Sequence, residues 1–196
     1  MLFSSVPKGI AVAEFIYFSE DDAPYASKPL MEKSRAQFGM LPNLHRVLAG
    51  APITYDAYLT TFDLFFNQSS FTRLEAQVVF MTANVHNRCH YCTAGHSMGM
   101  SMEEMPEGVI CDLRDNNELE DPKLRALQQF VIALLDNRGH INEAQMLKFL
   151  EAGYSKTQAL EVLCGLASKL ISNFTNAMAK TELDEPMQAF QWQPGD

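Results

Sequence analysis

Long apolar runs are missing from this chain. No stretch approaches the roughly 20 residues that a helix needs to cross a bilayer. Lys8 and Glu14 interrupt the only apolar candidate near the start, so a signal peptide is not expected. Positive charge is scarce as well: 15 Lys and Arg stand against 24 Asp and Glu, for a formal net charge of −9. Neither nucleic acid nor a membrane surface is therefore an expected partner. Cysteine is rare, and 4 in 196 residues do not make a secreted disulfide framework. The expected location is cytoplasmic, where thiols are kept reduced and a close thiol pair is more often catalytic or metal-binding than structural. Convincing strand signals, internal repeats and low-complexity segments are all absent.

What remains is the composition of a soluble globular protein, 47% hydrophobic and 20% charged. A chain of this length buries about 70% of its unfolded surface and needs no covalent staples. The helix signals are dense. Ser27 and Pro29 open a helix that Gly39 ends, Leu41-Pro42-Asn43 starts a short turn of helix up to Gly50, and Pro52 begins a helix rich in aromatics from Tyr55 to Phe66. Thr72-Arg73-Leu74-Glu75 and Ser155-Lys156-Thr157-Gln158 are capping-box patterns. Asp121-Pro122 starts a helix that stops between Asn137 and Gly139, and Asn142 caps a short one ended by Gly153. The last helix is the longest, with an expected core stripe of Leu160, Leu163, Ala167, Leu170, Ile171, Phe174 and Met178. The fold class is all-α: an irregular arm over residues 1–27, then one helical domain over 28–196, its tail docked through Trp192.

The most informative segment is Asn87-Arg88-Cys89-His90-Tyr91-Cys92-Thr93-Ala94-Gly95-His96. On a helix, Cys89, Cys92 and His96 fall within an arc of roughly 60°. A thiol pair at this spacing can close into a disulfide, and an imidazole four residues past Cys92 can take its proton. Zinc competes for the reading, but it wants four ligands, and Cys111 and Cys164 stand singly in apolar helical stretches as small buried hydrophobes. Covalent haem needs a histidine where Thr93 stands, and a thioredoxin fold needs strands. No cofactor or metal is implied. Glu75 serves as the third helical residue of its capping box; it also stands where a carboxylate relays protons to His96 if the two helices pack together. Gln77 lies on another face, able to hydrogen-bond but not to ionise. His86 and His90 are expected at the surface, while His45 and His140 carry no signal.

The run Leu74-Glu75-Ala76-Gln77-Val78-Val79 leading to Cys89-His90-Tyr91-Cys92-Thr93-Ala94-Gly95-His96 resembles the core motif of the alkylhydroperoxidase D / carboxymuconolactone decarboxylase family. Phe38-Gly39-Met40-Leu41-Pro42-Asn43-Leu44 and Ala51-Pro52 upstream resemble its longer, peroxidase-related branch. Asn173-Phe174-Thr175-Asn176 and Thr181-Glu182-Leu183-Asp184 downstream do the same. The likeness spans roughly residues 28 to 192.

The resemblance implies an AhpD-like, all-helical homo-oligomer that reduces a hydroperoxide through its dithiol and is recharged by a dithiol reductant. By position, Cys92 is the attacking thiol, Cys89 the resolving thiol and His96 the proton-handling base. Two departures stand out: Gln77 where the hydroperoxidase branch usually has glutamate, and Tyr91 where it can have histidine. The relay is thus rewired through Glu75 or weakened. The rival readings are a lactone decarboxylase, whose acid–base chemistry needs no dithiol, and a non-catalytic redox sensor. Oxidation is expected to join Cys89 to Cys92 and to leave Cys111 and Cys164 reduced.

Overall fold

The computed structural model describes residues 14 to 193, so residues 1–13 of the expected arm lie outside it. The described residues form nine α-helices and no strand: α1 (Lys28–Phe38), α2 (Asn43–Leu48), α3 (Pro52–Gln68), α4 (Arg73–His86), α5 (His90–Met102), α6 (Glu107–Arg114), α7 (Pro122–Asp136), α8 (Glu143–Glu151) and α9 (Lys156–Ala179). None of them is long and apolar enough to cross a membrane.

Local chemistry sets the helix ends. At α4 the Thr72 hydroxyl accepts the Glu75 amide at 3.2 Å, while the Glu75 carboxylate accepts the Thr72 amide at 2.9 Å. Reciprocal pairs of the same kind open α8 at Asn142 and Gln145, and α9 at Ser155 and Gln158. Asp121 caps α7. Gly39 closes α1 at φ +71°, the left-handed conformation that suits a residue without Cβ. Sequence reading missed α6, whose buried residues are only Ile110 and Leu113.

The core is organised around α4, in which every residue from Glu75 to Val85 is buried. A helix apolar on nearly all sides belongs in the middle of a bundle. Here α3, α5, α6, α7 and α9 all pack against it. Phe80 on α4 stacks on Phe62 at 5.4 Å and meets Phe65 edge-on at 5.1 Å. A second stack, Phe130–Phe149–Tyr154, ties α7 to α8. The aromatic face of α3 is consumed here: Tyr55, Tyr58, Leu59, Phe62 and Phe65 are buried within the chain's own core.

The last helix is inverted relative to its sequence pattern. Of the expected core stripe, Leu160, Leu163, Leu170, Phe174 and Met178 are 46 to 69% exposed. The buried face carries Ala159, Val162, Gly165, Ser168, Lys169, Ser172, Asn173 and Asn176 instead. Two facts impose this orientation: α3 approaches closely over Gly165, and the polar residues beyond it roof the thiol site. Cys111 and Cys164 also depart from expectation. Cys111 lies exposed on the outer face of α6, and Cys164 is half-buried at the edge of α9.

The tail folds back over α5. The Asp184 carboxylate accepts the Asn43 amide at 3.1 Å, capping α2, and also accepts the Tyr91 hydroxyl. A 3-10 turn at Glu185–Phe190 follows, placing Met187 over Gly95, and the Trp192 indole donates to the Arg114 carbonyl at 2.8 Å.

A Cβ at Gly165 would meet the Phe65 ring at 2.9 Å. Gly165→Ala gains about 1 kcal/mol of helix propensity but overpacks the α3–α9 contact at a cost of about 1–3 kcal/mol. Urea denaturation should show net destabilisation of about 1 kcal/mol. A stabilised variant would mean that α3 and α9 do not approach as described.

Candidate dithiol site

The thiols sit where the chain turns from α4 into α5. Arg88 takes φ +55°, and the Cys89 amide donates back to the Asn84 carbonyl at 2.9 Å. This turn leaves Cys89 as the residue that caps α5, its sulfur accepting the Cys92 amide at 3.3 Å. Both thiols are buried and face α9. From α9, the Asn176 amide nitrogen reaches Cys92 Sγ at 3.2 Å and lies 3.9 Å from Cys89 Sγ. Asn173 points the same way, held by Asn84 and Asn87 at 2.9 Å each.

His96 lies one turn further along α5. Its Nδ1 is 2.8 Å from Gln77 Oε1, and its Nε2 is 2.8 Å from Lys169 Nζ. A carbonyl oxygen only accepts, so Nδ1 carries the ring proton and Nε2 accepts from lysine. Burial, and then the Lys169 charge, hold the imidazole well below its ordinary pKa, so it is neutral near pH 7. Lys169 itself is 1% exposed and sits over the Phe80 ring at 4.9 Å. Burial lowers its pKa, and the two sulfurs partly restore it.

The two thiols are driven apart in acidity. Burial would raise Cys92, but the Cys89 hydrogen bond, the Lys169 charge and the Asn173 and Asn176 amides outweigh it and bring the thiol down to about 6. Cys89 moves strongly upward, through its hydrogen bond to Cys92 and its burial. The site therefore prepares one thiolate and one thiol.

The structure gathers Cys89, Cys92, His96 and Gln77. Glu75 stands apart. Its carboxylate accepts from the Thr72 amide and hydroxyl and pairs with Lys123 at 2.8 Å, facing α7. Two residues on a helix are about 200° apart, so only one of Glu75 and Gln77 can face α5, and it is Gln77. Neither ring nitrogen of His96 hydrogen-bonds a sulfur; Gln77 and Lys169 occupy both. Sequence reasoning missed Lys169, Asn173 and Asn176. Their signal was a polar stripe at i, i+4 and i+7 on the last helix.

The site opens on a cavity of about 520 Å³. Cys92, His96, Lys169 and Gln77 contribute its polar surface, Phe38, Leu44, Tyr58, Phe62, Phe66 and Met98 line it with apolar groups, and Arg73 and Glu103 add charge. Among the described residues, no cluster of three or more His, Cys, Asp or Glu gathers as a metal site.

No family model and no curated protein matches the sequence. Solved structures do match it in shape. An uncharacterized peroxidase-related protein from Ralstonia eutropha JMP134, described as an alkylhydroperoxidase AhpD core, superposes with a TM-score of 0.77 at 18% identity, over 89% of this chain and 95% of that one. The fold is that of the alkylhydroperoxidase D core. A peroxidase-related protein from Silicibacter sp. TM1040 shares it at a TM-score of 0.74 and 15% identity, over 91% and 97% of the two chains. So does the debrominase Bmp8, solved with 2,3,4-tribromopyrrole, at 0.73 and 16% identity, over 90% and 94%. Within this AhpD-like fold the Cys-x-x-Cys pair stands at the start of a core helix, as expected.

A lowered Cys92 pKa means that its thiolate is present above about pH 6 and lost below. Iodoacetamide alkylation of Cys92, followed by peptide mass spectrometry, should rise through about pH 6. Asn176→Leu should move that midpoint upward. A midpoint near that of a free thiol, about 8.5, in the unmodified protein would contradict the described hydrogen bonding.

Proposed function

We propose that the protein is a thiol-dependent hydroperoxide reductase of cytoplasmic type. The observation that carries this reading is the asymmetric dithiol, one sulfur prepared as thiolate and its neighbour kept as thiol, at an apolar cavity. Cys92 attacks the distal oxygen of the hydroperoxide; the O–O bond breaks, the alcohol leaves, and Cys92 becomes a sulfenic acid. Cys89 then attacks that sulfur, releasing water and forming the Cys89–Cys92 disulfide, and a dithiol donor restores both thiols by exchange. The balance is two thiols and one hydroperoxide in, one disulfide, one alcohol and one water out. His96 passes protons through its Nε2, which Lys169 contacts at 2.8 Å. Gln77 fixes its tautomer, and Glu75 supports the site through the α4 cap.

A second reading is dehalogenation, since one structural neighbour is named a debrominase. Tyr58, Phe62, Phe66 and Met98 in the cavity wall favour it, since they suit a flat, polarisable ring. It uses the same dithiol, so the choice rests on the substrate consumed. A lactone decarboxylase gains nothing from a prepared thiolate.

Peroxide consumption with dithiothreitol as reductant tests the main reading. Cys92→Ser should abolish it. Without dithiothreitol, Cys89→Ser should consume one equivalent and stop, leaving a dimedone-reactive sulfenic acid on Cys92. A Cys92 sulfenic acid in place of the Cys89–Cys92 disulfide, after one equivalent of peroxide to the unmodified protein without reductant, would remove the resolving role, and bromopyrrole consumption without peroxide consumption would favour dehalogenation.

We also propose a homo-oligomer. The argument rests on the outer stripe of α9, where Leu160, Leu163, Leu170, Phe174 and Met178 make an apolar face that no described residue covers. Light scattering should give a multimeric mass that Leu163→Glu with Phe174→Glu reduces to that of one chain. A monomeric mass for the unmodified protein would end this proposal.

A further inference from the structure

Lys169 has no structural partner that explains its burial. It is 1% exposed and pairs with no carboxylate among the described residues. Its one hydrogen-bonding contact among the described residues is a neutral imidazole, and it also lines the cavity on which Cys92 opens. An ionised side chain taken out of water costs several kcal/mol unless something compensates it. The groups that face it are His96 and Cys92 from α5, Cys89 at its cap and Phe80 from α4, with Gln77 of α4, Tyr58 of α3 and Glu103 on the same cavity. Of the groups that face it directly, only the sulfurs can supply a negative charge near pH 7.

We propose that Lys169 is the catalytic acid of this site, pairing as an ammonium with the Cys92 thiolate and donating its proton to the leaving oxygen of the substrate. The proposal rests on the hydroperoxide-reductase reading. It assigns to a lysine on α9 part of the proton handling that sequence placed on His96, with Glu75 as a candidate relay.

The proton balance closes. In the resting site Cys92 is a thiolate, Lys169 an ammonium and Cys89 a thiol. When the thiolate takes the distal oxygen and the O–O bond breaks, the departing alkoxide receives a proton from Lys169 and leaves as alcohol. The neutral amine stays hydrogen-bonded to His96. The amine then takes the Cys89 proton, and the Cys89 thiolate attacks the Cys92 sulfenic sulfur. The hydroxide expelled takes the proton from Lys169 and leaves as water. Lysine carries two protons per cycle, and His96, neutral throughout, orients the amine. Gln77 suits this arrangement: a carboxylate in its place would favour a charged imidazolium beside the ammonium.

The test compares oxidants whose leaving groups differ in their need for a proton. Single-turnover rates are measured with tert-butyl hydroperoxide, whose alkoxide leaves poorly, and with peracetic acid, whose acetate leaves unaided. Each variant is compared at a pH above its own Cys92 alkylation midpoint. Lys169→Met should slow tert-butyl hydroperoxide by about a hundredfold or more and peracetic acid by far less; its Cys92 midpoint should rise. Lys169→Arg keeps the cation but yields no proton at working pH, so it should retain the midpoint and still lose tert-butyl hydroperoxide. This arm decides the matter if the methionine variant does not fold. Equal losses with both oxidants, or retained tert-butyl hydroperoxide activity in either variant, would overturn the proposal. If the unmodified protein reduces neither oxidant, the peroxide reading itself fails. The Lys169→Met midpoint then still judges the pairing of lysine with thiolate: an unmoved midpoint rejects it.

Discussion

A lysine placed in an apolar interior is the constraint around which the rest of the structure is arranged. It forces α9 to turn its small and polar residues inward, because only a face carrying Gly165, Ser168 and Ser172 lets the helix lie close enough for Lys169 to reach His96. It also pushes the leucines of the same helix outward, since one helix cannot bury both stripes. The chain Gln77–His96–Lys169 then joins α4, α5 and α9 through hydrogen bonds of 2.8 Å. Three helices that hydrophobic packing alone would leave free to slide are fixed in register.

The division of labour on α4 follows from helix geometry. Glu75 and Gln77 are both buried, yet they serve opposite sides of the helix. The charged member goes where a cation and a helix start await it, at Lys123 and Thr72. The neutral member goes to the side already occupied by a positive charge. A carboxylate beside His96 would compete with the thiolate for the same cation, so the amide at position 77 keeps the acidity of Cys92 high.

How much of this was readable in the sequence depends on distance along the chain. The caps at Thr72, Asp121, Asn142 and Ser155 were legible because capping involves residues two or three apart. Cys89, Cys92, His96 and Gln77 were legible for the same reason, falling within one short window spanning two helices. Lys169 and Asn176 stand 73 and 84 residues from the site residues they touch, and the polar stripe that carries them does not say what it faces. The stripe on α9 was misassigned because its apolar and polar rows share one period, and periodicity does not say which row faces inward. That short α6 was overlooked and that Cys111 is exposed have one cause: an eight-residue helix with two buried side chains leaves little trace in hydropathy.

The tail that crosses α5 also bears on when the site can exist. Asp184 holds α2 and Tyr91 together, Met187 covers Gly95, and Trp192 locks onto α6. During synthesis, therefore, the thiols at positions 89 and 92 leave the ribosome about a hundred residues before the segment that encloses them. A nascent chain carries this pair in the open, next to an unfilled groove, until α9 and the tail arrive. Its vulnerability to stray oxidation is greatest before folding is complete, and the order of elements along the gene, rather than the finished packing, sets the length of that interval.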